Sequence, residues 1–348
     1  MRVGLVSPYD LGRPGGVQDQ VIRLAGWLRE AGHDPVIVGP GTEGPDEAIL
    51  LGATRIITAN RAATPIRLNP RVGRDLARAL AGVDVIHVHE PLMPAVSLAA
   101  LRVEGPPKVA TFHADPPRWV RRLYRYGRSG VRLALRRASV VTVTSPISGS
   151  SIDGIVDYRI IPNGIEVGSY ASGPKDPLRV AFLGRDDERK GLSALLDAWP
   201  AVRRAVPEAT LTVMGADRGE QSDGVEYLGW VGDETKREEL AAAAVFCAPN
   251  LGGESFGITL AEAMAAACAV VASTLPAFEY VAGPAARFVE PGDPARLAEQ
   301  IIDLLANPVA AHDLGRAAAE RARQFDGSSV AAAFLAAYED ALSAQATV

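Results

Sequence analysis

Short apolar runs separated by amphipathic stretches recur along the whole chain. Residues 3–7 form a β-rich run, followed by the turn Gly12-Arg13-Pro14-Gly15-Gly16. Val17, Val21, Leu24, Ala25 and Leu28 then recur at helical spacing, and Gly32 marks the stop. Residues 36–38, 85–88, 109–112 and 140–144 read as further strands. They are apolar on both faces, which predicts a parallel sheet covered on two sides. Pro174-Lys175-Asp176-Pro177 interrupts the alternation and predicts a linker. Beyond it strands are expected at 178–183, 209–214, 245–248 and 269–272, and helices at 192–205, 261–267 and 294–306. The last helix, over 328–344, carries Val330, Phe334, Leu335, Tyr338 and Leu342 on one stripe. The expected fold is α/β, with two doubly wound domains, 1–173 and 174–327, and a terminal helical segment, 328–348.

Composition narrows the class. The 348 residues are 48 % apolar and 22 % charged, which excludes a disordered or fibrous chain. A net charge of −5 excludes a general nucleic-acid binder, so any basic site must be local. Two cysteines, Cys247 and Cys268, lie in apolar runs; a disulfide framework is excluded and a reducing, cytoplasmic compartment is expected. The first apolar run is too short for a signal segment. Residues 258–278 are nearly all apolar, but Glu262 and Pro276 break them, predicting a buried helix and a buried strand rather than a membrane span. Any membrane contact is therefore expected from the side.

In doubly wound sheets ligands bind beyond the carboxyl ends of strands, and the candidate chemistry falls there. Gly15 and Gly16 open a helix, where backbone N–H groups favour an anion; a tight βα turn would use the same residues. Arg185 and Lys190, in Gly184-Arg185-Asp186-Asp187-Glu188-Arg189-Lys190-Gly191, can converge on a diphosphate, although charge runs are often solvated turns. Gly252-Gly253-Glu254-Ser255-Phe256-Gly257 builds an anion nest from backbone N–H groups. Glu254 suits sugar hydroxyls. Glu262 lies within an Ala-rich segment and needs a partner such as a ribose hydroxyl. His113 ends a strand, where it can donate to a sugar or be a satisfied edge histidine. His87 and His89 share a face but lack a third metal ligand.

Residues 118–137 hold eight arginines and no acid. Arg118, Arg121, Arg122, Arg125, Arg128 and Arg132 follow helical spacing, with Trp119, Val120, Leu123, Tyr126 and Val131 off that stripe. A basic amphipathic helix suits an anionic membrane surface or a phosphate-bearing substrate, against the alternative of a solvated face. Arg67, Arg71, Arg74 and Arg78 form a sparser basic set.

Taken in order, these motifs resemble the retaining family 4 glycosyltransferases, nearest the actinobacterial phosphatidylinositol mannosyltransferase branch. The resemblance runs through Ser7-Pro8-Tyr9, Pro14-Gly15-Gly16-Val17-Gln18, His89-Glu90-Pro91, Ile161-Pro162-Asn163-Gly164, Gly229-Trp230-Val231 and Cys247 to Gly257. It implies a GT-B fold, with the acceptor in the N-terminal domain, a nucleotide-sugar donor in the C-terminal one, and the last helix crossing back onto the N-terminal domain. By that resemblance Gly16 approaches the donor diphosphate, Arg185 and Lys190 neutralise it, Glu254 holds sugar hydroxyls and Glu262 the ribose. His113 meets the sugar near the reacting carbon. Val231, Asp233 and Lys236 match the base-binding loop, Asp233 suiting the guanine of GDP-mannose. Tyr9, Gln18, Arg67, Arg118, Arg121 and Arg122 would meet an anionic lipid or phosphorylated polyol.

Three departures stand out: Ala267 replaces a usual glycine, the Arg185–Lys190 loop is one residue short, and the basic run at 118–137 replaces a less Arg-rich segment, which leaves the acceptor open. No cofactor beyond the nucleotide-sugar co-substrate is expected; Mg2+ stays open, although no Asp-x-Asp motif offers it ligands, and no carboxylate pair is placed as in a glycosidase. Two other readings remain: the same fold with a UDP-sugar and a soluble acceptor, or a nucleotide-sugar binder or epimerase without transfer.

Overall fold

The computed structural model describes residues 1–59, 62–66, 72–170, 173–219 and 222–346. Two compact units are present: Met1–Gly164 with Gly327–Val348, and Ile165–Asp326.

In unit 1 the chain runs through β1 (Arg2–Val6), α1 (Gly16–Glu30), β2 (Asp34–Gly39) and β3 (Ile49–Leu50). An antiparallel hairpin, β4 (Arg55–Ala59) with β5 (Ala62–Ile66), leads to α2 (Val72–Ala79). Then come β6 (Val85–His89), α3 (Val96–Ala100), β7 (Lys108–Phe112), α4 (Arg118–Tyr126), α5 (Arg128–Leu135), β8 (Val140–Val143), α6 (Pro146–Gly149) and β9 (Arg159–Ile160). Among the described residues the main sheet has the order β3-β2-β1-β6-β7-β8-β9, every pair parallel. β6, β7 and β8 are buried along their whole length, as expected of strands apolar on both faces.

Unit 2 contains β10 (Asp176–Leu183), α7 (Leu192–Ala205), β11 (Thr210–Met214), β12 (Val225–Gly229), α8 (Asp233–Ala242), β13 (Ala243–Ala248) and α9 (Ile258–Ala265). It continues with β14 (Ala269–Ser273), α10 (Pro276–Ala282), β15 (Ala286–Val289), α11 (Pro294–Ala306) and α12 (Pro308–Ala322). Its parallel sheet has the order β12-β11-β10-β13-β14-β15. Strand order reverses between β1 and β6 in one unit and between β10 and β13 in the other. Each reversal opens a crevice at the carboxyl ends of the strands.

The chain returns to unit 1 as α13 (Gly327–Ala346), which shares a core with α1 and β1 through Val330, Phe334 and Tyr338. Among the described residues no helix is long and apolar enough to cross a membrane.

Two features differ from expectation. The unit boundary lies at Gly164/Ile165 rather than 173/174, because Ile165 N–H donates to Phe325 O at 2.8 Å and bridges to Asp326. The basic stretch is two helices rather than one, parted at Gly127, where glycine lowers the cost of leaving the helix. Trp119, Leu123 and Tyr126, off the basic stripe, are 55, 59 and 87 % exposed.

Ala267 follows the end of α9 with φ +56°, and the next N–H, of Cys268, donates back to Ala263 O at 3.0 Å. This is a Schellman-type end whose left-handed position favours glycine. Ala267→Gly removes a left-handed alanine but adds unfolded-chain entropy, so a net gain of about 0.5–1 kcal/mol is expected in urea unfolding.

Candidate active site

In unit 2 the loops after β10 and β13 meet at the sheet's reversal point. Gly191 packs against the Pro249 carbonyl, and Leu251 N–H donates to Arg189 O at 2.8 Å. This contact brings Lys190 onto Glu254, whose Oε1 also accepts from Asn250 Nδ2 at 2.8 Å. Arg185 projects as an exposed cation from the same loop. The neighbouring acids are engaged: Asp187 pairs with Arg189 at 2.7 Å, which holds its carboxyl down at about 2, and Asp186 pairs with Arg218 at 2.7 Å.

Gly253 and Gly257 have φ +72° and +99°, which lets the loop turn into α9. No side chain caps that helix, so its first N–H groups, beyond Ser255 and Phe256, can meet an anion. The Phe256 ring is buried edge-on against Phe325, leaving its backbone for a ligand.

Glu262 is 2 % exposed. Lys236 Nζ lies 2.9 Å from Glu262 and 2.8 Å from Asp233, so one ammonium joins two candidate donor contacts. Val231 is half-buried just before them, beside the exposed Trp230.

In unit 1 the side chains gather beyond β1, β6, β7 and β8. Gly15 precedes α1, and no side chain caps that helix either, leaving the N–H groups from Gly16 onward for an anion. Gln18 is buried, its amide donating to the Asp10 carbonyl at 3.2 Å, so it supports the loop from within. His113 is buried too. Its Nε2 lies 2.8 Å from His89 Nδ1 and its Nδ1 3.1 Å from Asn163 Oδ1. With the amide oxygen accepting, Nδ1 carries the proton and Nε2 accepts from His89. Burial, partly offset by the Asn163 bond, pushes His113 down to about 4, so the ring is neutral at pH 7. A polar layer continues inward: His87 meets Tyr338 Oη at 2.8 Å and Thr111 Oγ1 at 2.6 Å.

Glu90 is the residue that sequence reasoning left without a role. Its Oε1 accepts from the backbone N–H groups of His113 and Ala114, each at 2.7 Å, fixing the turn that carries the histidine. Its own backbone has φ +48°, a conformation that non-glycine residues rarely adopt and that concentrates at functional sites. The legible signal was an acid directly after a fully buried strand. Burial raises its carboxyl to about 7 despite the two N–H donors. Burial first, then the Glu90 charge, raises both Tyr9 and Tyr124, which face it.

The folded pKa of Glu90 lies above its ordinary value of 4.5, so between these values the folded state binds more protons. Stability should therefore fall as pH rises from about 4.5 through 7 and level off above. Glu90→Gln keeps an oxygen acceptor and removes the titration. Its thermal stability relative to the parent should grow between pH 5 and pH 8; an unchanging difference would count against a titrating Glu90.

Arg121 Nη2 pairs with Asp115 at 2.7 Å, while Arg118 and Arg122 are exposed on α4. Arg67 and Arg71 lie outside the described residues. Among the described residues no group of three or more His, Cys, Asp or Glu is arranged to hold a metal ion.

Residues 14–168 match the family described as Glycosyltransferase Family 4, and residues 177–307 that described as Glycosyl transferases group 1. The phosphatidyl-myo-inositol mannosyltransferase of Mycolicibacterium smegmatis is 35 % identical over 372 residues, covering 97 % of this chain and 94 % of that protein. The protein of the same name from Propionibacterium freudenreichii is 35 % identical over 304 residues, 80 % of this chain and 78 % of its own. The solved sucrose-phosphate synthase of Thermosynechococcus elongatus superposes with a TM-score of 0.74 at 22 % identity, covering 99 % of each chain. That likeness shows the fold, two Rossmann-like units of the GT-B type.

Proposed function

The chain belongs to glycosyltransferase family 4 and is a glycosyltransferase; from that membership we propose that it moves mannose from GDP-mannose to a phosphatidylinositol-type lipid, with retention, at the inner face of a membrane. The observation that carries the transfer chemistry is the Lys190–Glu254 pair beside the uncapped start of α9. The full-length similarity to the two mannosyltransferases supports the sugar and the acceptor.

In this reading unit 2 holds the donor. Arg185, Lys190 and the amides at the start of α9 neutralise the diphosphate as it leaves, so no metal is required. Glu254 accepts hydrogen bonds from sugar hydroxyls, and Glu262 meets the ribose. Asp233, with Lys236 and the backbone at Val231, reads the guanine edge. The bond from the sugar anomeric carbon to the diphosphate oxygen breaks. A bond from the acceptor hydroxyl oxygen forms on the same face, and the hydroxyl proton passes to the departing phosphate. Unit 1 supplies the acceptor side through Tyr9, Arg118 and Arg122, and it holds His113 neutral.

The test is nucleotide release by the purified chain from GDP-mannose, GDP-glucose, UDP-glucose and UDP-N-acetylglucosamine, with and without phosphatidylinositol vesicles. Release from GDP-mannose that rises with vesicles is expected. Release from a UDP-sugar, indifferent to lipid, would overturn both the donor and the acceptor.

A further inference from the structure

Three of the arginines in the acid-free stretch close on one cavity of about 200 Å³. Arg121, Arg125 and Arg128 form one wall, and Ser150, Ser151 and Asp153, in the turn after α6, form the other. The walls are tied together, because Arg132 Nε donates to Ile155 O at 2.9 Å. Arg121 is held by its pair with Asp115. Ser151 is 6 % exposed, and its hydroxyl has no hydrogen-bond partner among the described residues. A buried hydroxyl is costly unless something completes it, and in this wall an anion's oxygen would do so.

The wall also selects the kind of anion. Asp153, whose Oδ1 accepts from Tyr158 at 2.6 Å, offsets part of the arginine charge. That favours a singly charged phosphodiester over a phosphate dianion. On the same two helices Trp119, Leu123, Tyr126 and Leu133 are 55, 59, 87 and 67 % exposed. Exposed aromatic and leucine side chains among arginines match the headgroup–acyl boundary of a bilayer.

We propose that this cavity seats the phosphodiester of an anionic membrane lipid that is not itself the substrate, anchoring the protein through α4 and α5. The inference rests on the lipid-acceptor reading only for its setting, a bilayer surface.

The test is vesicle co-sedimentation of the full chain without donor, on phosphatidylglycerol/phosphatidylcholine and on pure phosphatidylcholine. Arg125→Gln/Arg128→Gln removes two pocket charges, and Arg136→Gln/Arg137→Gln removes two from the same stretch outside it. Circular dichroism checks that both fold. The pocket pair should weaken binding to the anionic vesicles about tenfold or more, and the control pair less than about threefold. Ser151→Val should weaken it measurably with no change of charge. Equal losses in the two double variants would leave only diffuse attraction and overturn the site. Calorimetric binding of inorganic phosphate that is abolished by the pocket pair, with vesicle binding untouched, would overturn the lipid source. Because nothing is transferred, this result is independent of whether GDP-mannose is turned over.

Discussion

Arg185→Ala/Lys190→Ala should lower transfer by about a thousandfold or more, since removing a single preorganised charge-stabilising donor already costs about 10²–10³. Both cations sit on one short loop, one exposed and one against Glu254, and neither belongs to a hydrophobic core. Chemistry should therefore fail while the unfolding midpoint moves little. The loss should fall mainly on kcat, because charge on the departing diphosphate grows in the transition state. Lys190→Ala alone should also release Glu254 to Asn250, so its donor KM should rise more than that of Arg185→Ala. Unchanged turnover in the double variant would sink the diphosphate assignment.

The second large effect is structural. A Cβ at Gly191 would lie 1.8 Å from the Pro249 carbonyl oxygen, at a residue with φ +71°. Both the obstacle and the residue are backbone, so no rotamer change relieves the clash. Gly191→Ala should cost about 3 kcal/mol or more in urea unfolding. It should also abolish transfer in whatever protein still folds, because the loops carrying Lys190 and Glu254 must part. Gly253→Ala is the instructive contrast: the atoms it meets, at 3.2–3.3 Å, belong to the flexible Arg189 side chain. A Gly191→Ala protein of parental stability and activity would show that the loops need no close approach.

The buried strands were legible because they carry apolar residues on both faces, and α7 and α11 were legible to the residue from their periodicity and flanking breaks. The edges were not. β12 is a half-exposed strand, Val-Glu-Tyr-Leu-Gly, whose pattern is that of a loop until β11 pairs with it. In the basic stretch, helical spacing continued through Gly127 although the backbone did not, since side-chain periodicity says little about where a glycine lets a helix stop. The candidate site divides the same way. Lys190, Glu254 and His113 follow strands in sequence, and the rule that ligands bind there finds them. Glu90 and Asn163 matter through what they touch, and those contacts depend on β6, β7 and β8 lying side by side. No local pattern encodes that neighbourhood.

Unit 2 is an uninterrupted segment set inside a unit 1 that is split in two. On the ribosome, β1 to β9 emerge first, but the helix that covers their α1 face emerges only after all of residues 165–326. Until then His87 lacks the Tyr338 hydroxyl, and Val3, Leu5 and Leu24 lack Val330 and Phe334. The first unit to be made is thus the last to be completed, and unit 2 can close its own core meanwhile. A nascent chain stalled before α13 would expose an apolar sheet face to chaperones and aggregation, and a clip near residue 327 would damage unit 1 while sparing the covalent continuity of unit 2.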